Sequence, residues 1–255
     1  MAAPPRPTHF LALRVSHPEV VAAFNTVHAG LVQHAPHLRE ACVDAVSAHL
    51  TLGVLALVTR EQQQQAAGAL MALAGPLADQ ALLAPVAVQL EGLSHFNNKV
   101  LFLDIAQDSG LERLMQLAAA SRAHFAEHRL LLQAGQAFVP HVTVAKSSKL
   151  VQQYSKRQAR QGQQSEQLPQ AAWVPHAGIE GGRVELQEIQ LCAMAGRKQA
   201  QYYPILCSLR LDPSLISSDA GCGPALAAAA ATPPATSDEQ QAGGQSTTLV
   251  DPSPC

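Results

Sequence analysis

The sequence carries little charge, few aromatic residues and no closely spaced cysteines. Charged residues make up 14% of the 255 residues and aromatic residues 4%, and the formal net charge is −2. A protein that binds duplex DNA along its phosphates needs a broad positive surface. The composition therefore excludes duplex DNA as a general partner and leaves only a local basic patch for binding an anion.

The five cysteines are odd in number and never occur in C-x-x-C spacing. This pattern disfavours a disulfide framework and a zinc knuckle, and reduced thiols are typical of an intracellular protein, in the cytoplasm, the nucleus or both. Because the apolar stretch begins at Phe10, close to Met1, we expect no signal peptide, and no apolar run is long enough to span a membrane. We expect a monomer that works without cofactor, metal or membrane.

Hydrophobic residues make up 47% of the sequence, which is ample for a core, and their spacing predicts an α+β fold. Helix caps, prolines and asparagine turns set the expected boundaries. In chain order the predicted elements are a strand from His9 to Val15, a helix capped by Ser16, a strand from His49 to Val58, a helix from Glu61 to Ala74 closed by Gly75-Pro76, strands from Pro85 to Leu93 and Lys99 to Ile105 with Asn97-Asn98 in the hairpin turn, a helix from Leu111 to Leu131, a strand around His141, and closing strands from Val184 to Met194 and from Tyr203 to Leu211.

The spacing His-x-Thr occurs only twice in the chain, each time inside an alternating apolar strand. The two segments are His49-Leu50-Thr51-Leu52 and His141-Val142-Thr143-Val144. Because side chains alternate along a strand, the histidine and threonine share one face of each strand and the apolar residues share the other. If the two strands meet, His49, Thr51, His141 and Thr143 form a single site.

Two facing imidazoles can act as a general base and a general acid at neutral pH without a metal. Two threonine hydroxyls on the same faces can donate hydrogen bonds to the nonbridging oxygens of a phosphate. The alternative interpretation is two strand histidines satisfied by backbone groups and two threonines present for strand propensity. Finding the spacing twice favours phosphoester chemistry.

The paired motifs resemble those of the 2H phosphoesterase superfamily. The similarity is greater to one branch, the 2H (nuclear-localisation) domain of A-kinase anchoring protein seven and its relatives. The segments that support this similarity are Leu101-Phe102-Leu103, Phe138 to Lys146 and Ile189 to Met194, with Arg197-Lys198-Gln199 and Tyr202-Tyr203. The resemblance covers roughly Thr8 to Leu211.

The resemblance implies two pseudo-symmetric lobes, each an antiparallel sheet with helices on its outer face, around a central cleft. It also implies that His49 and His141 are catalytic and that Thr51 and Thr143 bind phosphate. The domain boundaries that follow are an N-terminal extension at 1–7, a 2H phosphoesterase-like domain at 8–212 with a Gln-rich insertion at about 147–167, and a disordered tail rich in Ala, Pro and Ser at 213–255.

Three further residues are weaker candidates for the site. Lys146 could bind phosphate, but its odd spacing from His141 places it on the opposite face unless the strand ends before it, and the alternative is a solvated lysine at the strand end. Phe96 and Tyr203 could stack on a nucleobase, with packing in the core as the alternative for both.

These patterns predict a hydrolase, a metal-independent phosphodiesterase that uses His/His acid–base catalysis on nucleotide or RNA-end phosphodiesters. The bond would be a 2′,3′-cyclic phosphate or a 2′-5′ linkage, and the partner a nucleotide or short RNA. The alternative is a nucleotide- or RNA-binding module with little turnover. The sequence leaves open which histidine is the base.

Overall fold

A computed structural model of the chain describes residues 5–150, 167–196 and 202–217. Most of the Gln-rich insertion and nearly all of the tail lie outside these residues. The strands are β1 His9–Arg14, β2 His49–Leu55, β3 Val86–Phe96, β4 Val100–Ile105, β5 Leu131–Leu132, β6 Val142–Lys146, β7 Glu180–Leu186, β8 Glu188–Ala193 and β9 Ile205–Arg210, and the longer helices are α1 Pro18–His34, α2 Arg60–Ala72, α3 Ala74–Asp79 and α4 Ser109–Glu127.

The described strands form one antiparallel sheet in the order β7-β3-β4-β6-β2-β1-β8-β9, with β5 paired to β2. The centre of this order lies between β6 and β2, which are the two strands that carry the His-x-Thr motifs and are called the motif strands below. Four strands lie on each side of that centre. The predicted α+β architecture with antiparallel sheets in two similar halves is confirmed.

The two halves repeat the order strand, helix, motif strand. The first half has β1, α1 and β2, and the second has β4, α4 and β6. Each helix also contacts the motif strand of the other half, because α1 packs against β6 and α4 packs against β2. The apolar side chains of both motif strands and the helices form one continuous core, so the site rests on a rigid layer.

The prediction of a single strand from Val184 to Met194 is wrong. The segment forms two strands, and β7 pairs with β3 while β8 pairs with β1, in the other half of the sheet. The burial pattern explains the break, since Val184 and Leu186 are buried at even positions whereas Ile189 and Leu191 are buried at odd positions. The change of parity at Gln187 marks the point where the chain passes from one half to the other.

Helix ends differ from the sequence prediction in two places. The cap of α1 is His17, whose side chain accepts a hydrogen bond from the Glu19 amide, and not Ser16. Gly75-Pro76 does not end the helical segment, because both residues lie in the first turn of α3, where a proline removes no hydrogen bond. The hairpin turn is confirmed, since Asn97 and Asn98 have φ values of 52° and 54°.

A search of the described residues finds no helix with the length and apolar character that crossing a membrane requires.

Candidate active site

The two motif strands are neighbours in the sheet, and Leu50 pairs with Val142 in an antiparallel register. This register sets His49 opposite Thr143 and Thr51 opposite His141. Leu50 and Val142 are fully buried in the core, and residues on either side of them project to the other face of the sheet. All four motif residues therefore lie on that face, which we call the cleft face.

Each motif strand contains a β-bulge directly after its threonine. The register of β2 with β1 shifts at Leu52, because Thr51 pairs with Ala12 while Gly53 pairs with Leu11. The register of β6 with β4 shifts in the same way at Val144. A bulge inserts one residue and so reverses the alternation of side chains beyond it.

The bulge at Val144 brings Lys146 onto the cleft face. Thr143 pairs with Phe102 and Lys146 pairs with Val100, and these two partners share one face of β4 because they lie two residues apart. The prediction that Lys146 lies on the face opposite His141 is wrong, because it assumed a regular strand. The equivalent position in the first half is Val54, so only one half places a cation here.

The rings of the two histidines are oriented by the same kind of hydrogen bond. His49 Nδ1 lies 2.7 Å from the carbonyl oxygen of Ser47, and His141 Nδ1 lies 2.8 Å from that of Val139. A carbonyl only accepts, so each Nδ1 is the donor and the neutral ring keeps its proton there. Nε2 is then the free basic atom in both rings, as acid–base catalysis requires.

Aromatic rings flank each histidine. The ring of His49 is 4.9 Å from that of Phe10 and 5.4 Å from that of Tyr203. The ring of His141 is 5.0 Å from that of Phe96 and 5.3 Å from that of Phe102. Both stacking candidates from the sequence therefore lie against a motif histidine, and Phe96 is 36% exposed.

The electrostatic environment of His49 favours its neutral form. Burial lowers its pKa to about 4, and the nearby positive charges of Lys146 and His141 act in the same direction against the opposing hydrogen bond to Ser47. A histidine with this pKa is unprotonated at neutral pH. At neutral pH, His49 is therefore able to accept a proton at the start of a reaction.

Two helix side chains bond to the carbonyl oxygens of the bulges, and sequence analysis missed both. Arg122 on α4 donates to Leu52 O at 2.9 Å, and its other amino group donates to Gln136 O at 2.7 Å in the loop before His141. His28 on α1 lies 3.0 Å from Val144 O through Nε2. The sequence does indicate that His28 faces the core, because Phe24, His28 and Leu31 share one helical face.

A pocket of 360 Å³ opens beside Thr51 and His141 on one side of the motif strands. This volume is within the range of about 300 to 1,000 Å³ that small-molecule pockets have. The remaining wall combines apolar side chains with amide and guanidinium groups, contributed by Val54, Phe96, Phe138, Arg122, Gln133 and Gln136. Such a wall suits a flat heterocycle that carries polar edges.

Comparison with known proteins agrees with the fold. The family described as the AKAP7 2'5' RNA ligase-like domain matches residues 7–211. Human A-kinase anchor protein 7 isoform gamma is 24% identical over 199 residues, which cover 78% of this chain and 55% of that protein. E. coli LigT, in its crystal structure with 3'-AMP, has a TM-score of 0.50 at 19% identity and covers 80% of this chain and 97% of its own.

An antiparallel sheet of two similar halves, with one His-x-Thr strand from each half at its centre, together with the family match, identifies the chain as a member of the 2H phosphoesterase superfamily. Within that superfamily the chain belongs to the family of the AKAP7 2'5' RNA ligase-like domain, which spans most of its length. The chain spans little more than half the length of the human relative.

Proposed function

We propose that the protein is a metal-independent phosphodiesterase that cleaves a 2′,3′-cyclic phosphate or a 2′-5′ linkage in a nucleotide or short RNA. The observation that carries the proposal is the register of Leu50 with Val142, which sets two histidines and two threonines on one face. One imidazole removes a proton from water or a ribose hydroxyl, and the other protonates the leaving oxygen. The threonines and Lys146 stabilise the charge that develops on the phosphate.

His49 is the proposed base and His141 the proposed acid. The low pKa of His49 keeps its Nε2 free to accept a proton at neutral pH, whereas a general acid must enter the reaction protonated. His141 lies at the pocket, on the side where a leaving nucleoside would sit. The catalytic domain in this proposal is 8–212, which encloses the residues that match the family.

The pH dependence tests the assignment of the base. On the acid side, the kcat/KM of the wild-type protein should fall only toward pH 4, because His49 takes up a proton there. In Lys146→Met the loss of a nearby positive charge raises the pKa of His49, so the acid limb should move to higher pH. A wild-type limb near the ordinary histidine pKa, or a limb that does not move in the variant, would contradict the assignment.

The function itself is tested by incubating the full chain with 2′,3′-cyclic AMP and with 2′-5′-linked oligoadenylate in the presence of a chelator. Turnover of either substrate that survives chelation supports the proposal. Activity that needs added metal would contradict the metal-independent mechanism. Absence of turnover with both substrates would contradict the proposed phosphodiesterase activity.

The second candidate is a nucleotide- or RNA-binding module with little turnover. The pocket beside His141 favours it, because it offers a base-sized space independent of chemistry, and LigT was crystallised with 3'-AMP. Calorimetry with mononucleotides separates the two candidates. Tight binding of a mononucleotide without turnover of any phosphodiester would favour the binding module.

The bonds to the bulge carbonyls give a further prediction. Arg122→Ala and His28→Ala should each lower kcat/KM about tenfold, because each loses a hydrogen bond that holds the strand beside a phosphate-binding residue. Arg122 holds the bulge beside Thr51 and the loop before His141, and His28 holds the bulge beside Thr143. Arg122→Ala should therefore lower kcat/KM less in a Thr51→Val background than in the wild type.

The chain contains a matched control for each of these variants. Arg113 on the same helix as Arg122 donates to Ala81 O at 2.8 Å, and His124 lies 2.9 Å from Ala69 O through Nε2. Both make a helix-to-carbonyl contact away from the bulges. If Arg113→Ala and His124→Ala lower kcat/KM as much as the bulge variants do, the effect reflects general stability and the positioning role is wrong.

A further inference from the structure

Arg14 lies on the cleft face beside His49. The two residues are direct partners in the register of β1 with β2, and the Cβ atoms of such partners lie about 5 Å apart on the same face of a sheet. Phe10 and Ala12 precede Arg14 at even spacing and pack with Tyr202 on this same face. Arg14 is thus the last residue of β1 whose side chain lies on the cleft face.

The guanidinium of Arg14 is held in place but contacts no anion among the described residues. Its Cζ lies 4.4 Å from the centre of the Tyr202 ring, and Tyr202 is 2% exposed. Among the described residues Arg14 has no hydrogen-bond or ion-pair partner, and its Nε is buried without an acceptor. A partly buried guanidinium normally pairs with a carboxylate or phosphate, because its N–H groups lose water on burial.

The positive charges of Arg14 and Lys146 act on different residues of the cleft face. The charge of Lys146 lowers the pKa of His49, whereas the charge of Arg14 acts on the pKa values of Tyr202 and Cys192. The guanidinium itself lies over the ring of Tyr202. An anion bound to it would lie next to the reacting phosphate rather than at it.

The other half of the sheet does not offer an equivalent cation. Leu103 pairs with Val142, and continuing this register sets Asp104 opposite His141, where Arg14 stands opposite His49. The Asp104 side chain accepts a hydrogen bond from the Ile105 amide at 2.9 Å. A second phosphate is attracted on the His49 side and repelled on the His141 side.

We propose that Arg14 binds a second phosphate of the nucleotide substrate, displaced from the scissile phosphate on the side of His49. The inference rests on the proposed function and adds a preference for substrates that carry at least two phosphates. The second phosphate can be a terminal 5′-phosphate or the next internal phosphodiester of an oligonucleotide. Together with the pocket beside His141, it fixes the direction in which the substrate lies across the site.

Three substrates test the proposal, namely the 2′-5′ dinucleoside monophosphate ApA, its 5′-phosphorylated form pApA, and the trimer ApApA. In Arg14→Gln, kcat/KM should fall about 10- to 100-fold for substrates with a second phosphate and less than about twofold for ApA. Loss with pApA alone identifies the terminal phosphate, and loss with the trimer alone the internal one. Equal losses on all three substrates, or no loss on any, would overturn the proposal.

A binding measurement separates this inference from the proposed function. The wild-type protein should bind adenosine 3′,5′-bisphosphate about tenfold or more tightly than adenosine 5′-monophosphate, and Arg14→Gln should remove the difference. If this difference in affinity is found but no substrate is turned over, the phosphodiesterase proposal is wrong and the phosphate subsite is still supported. Equal affinities in the wild type, or no binding of either ligand, would overturn the subsite. Arg14→Lys, which retains the charge, and Arg113→Gln, which lies outside the cleft face, control for folding and net charge.

Discussion

His49→Ala and His141→Ala should each lower the turnover of 2′,3′-cyclic AMP or 2′-5′ oligoadenylate about 10²- to 10⁴-fold. This is the contribution that one positioned general acid or base typically makes. Both rings are fixed by a hydrogen bond from Nδ1 to a carbonyl two residues earlier, so a substitution removes an oriented group. The measurement is steady-state kinetics in a chelator, with thermal melting to show that each variant folds.

The double variant is expected to lose little more than either single variant, because an acid and a base that act on one transition state are not additive. His34→Ala provides the control, since His34 is an exposed histidine in the last turn of α1. Retained activity in His49→Ala or in His141→Ala would contradict the assignment of these two residues as the acid–base pair. A loss in His34→Ala of similar size would show that the assay reports stability.

Thr51→Val and Thr143→Val should each lower kcat about 10²- to 10³-fold, the size of effect found when one donor to a developing oxyanion is removed. Valine matches threonine in shape and in strand propensity, so the change removes the hydroxyl and little else. The effect should appear in kcat more than in KM, because the hydrogen bonds strengthen as charge builds on the phosphate.

Thr26→Val is the matched control for the threonine variants. Thr26 is exposed on α1, and its hydroxyl donates to the Ala22 carbonyl at 3.1 Å. It should retain wild-type kinetics. If Thr51→Val and Thr143→Val lose less than about threefold, the threonines are strand residues with no role at the phosphate.

The motif residues could be found from sequence because they depend only on strand alternation. His49 with Thr51, and His141 with Thr143, share a face in any regular strand, and the structure adds the one fact that the alternation cannot give, namely that β2 and β6 are neighbours. That neighbourhood depends on pairing between distant parts of the chain, which no local pattern encodes.

Lys146 shows where strand alternation fails. A bulge at Val144 places two consecutive apolar residues, Val144 and Ala145, in the core. In the sequence this looks the same as a strand end. The same irregularity follows Thr51, where Leu52 and Gly53 are both buried.

The contacts of Arg14, Arg122 and His28 could not be assigned from sequence for a different reason, although the helical face of His28 could. Their roles depend on contacts between elements that are far apart in the chain, such as α4 against β2 and α1 against β6. Arg122 reaches Leu52 across 70 residues and His28 reaches Val144 across 116. By contrast, the break at Gln187 was visible as a change in the parity of apolar residues.

The crossing at Gln187 makes one half of the sheet discontinuous in the chain. That half takes β1 and β2 from before β3, and β8 and β9 from after β7. The strands of the other half, β3, β4, β6 and β7, follow one another along the chain with only β5 between them, which pairs with β2. Cutting the chain anywhere between β3 and β7 therefore leaves no fragment that contains a complete half. Transfer of the half with β1, β2, β8 and β9 into another protein as one segment should fail, even though the halves look alike, because that half forms only when two distant parts of the chain come together in the folded sheet.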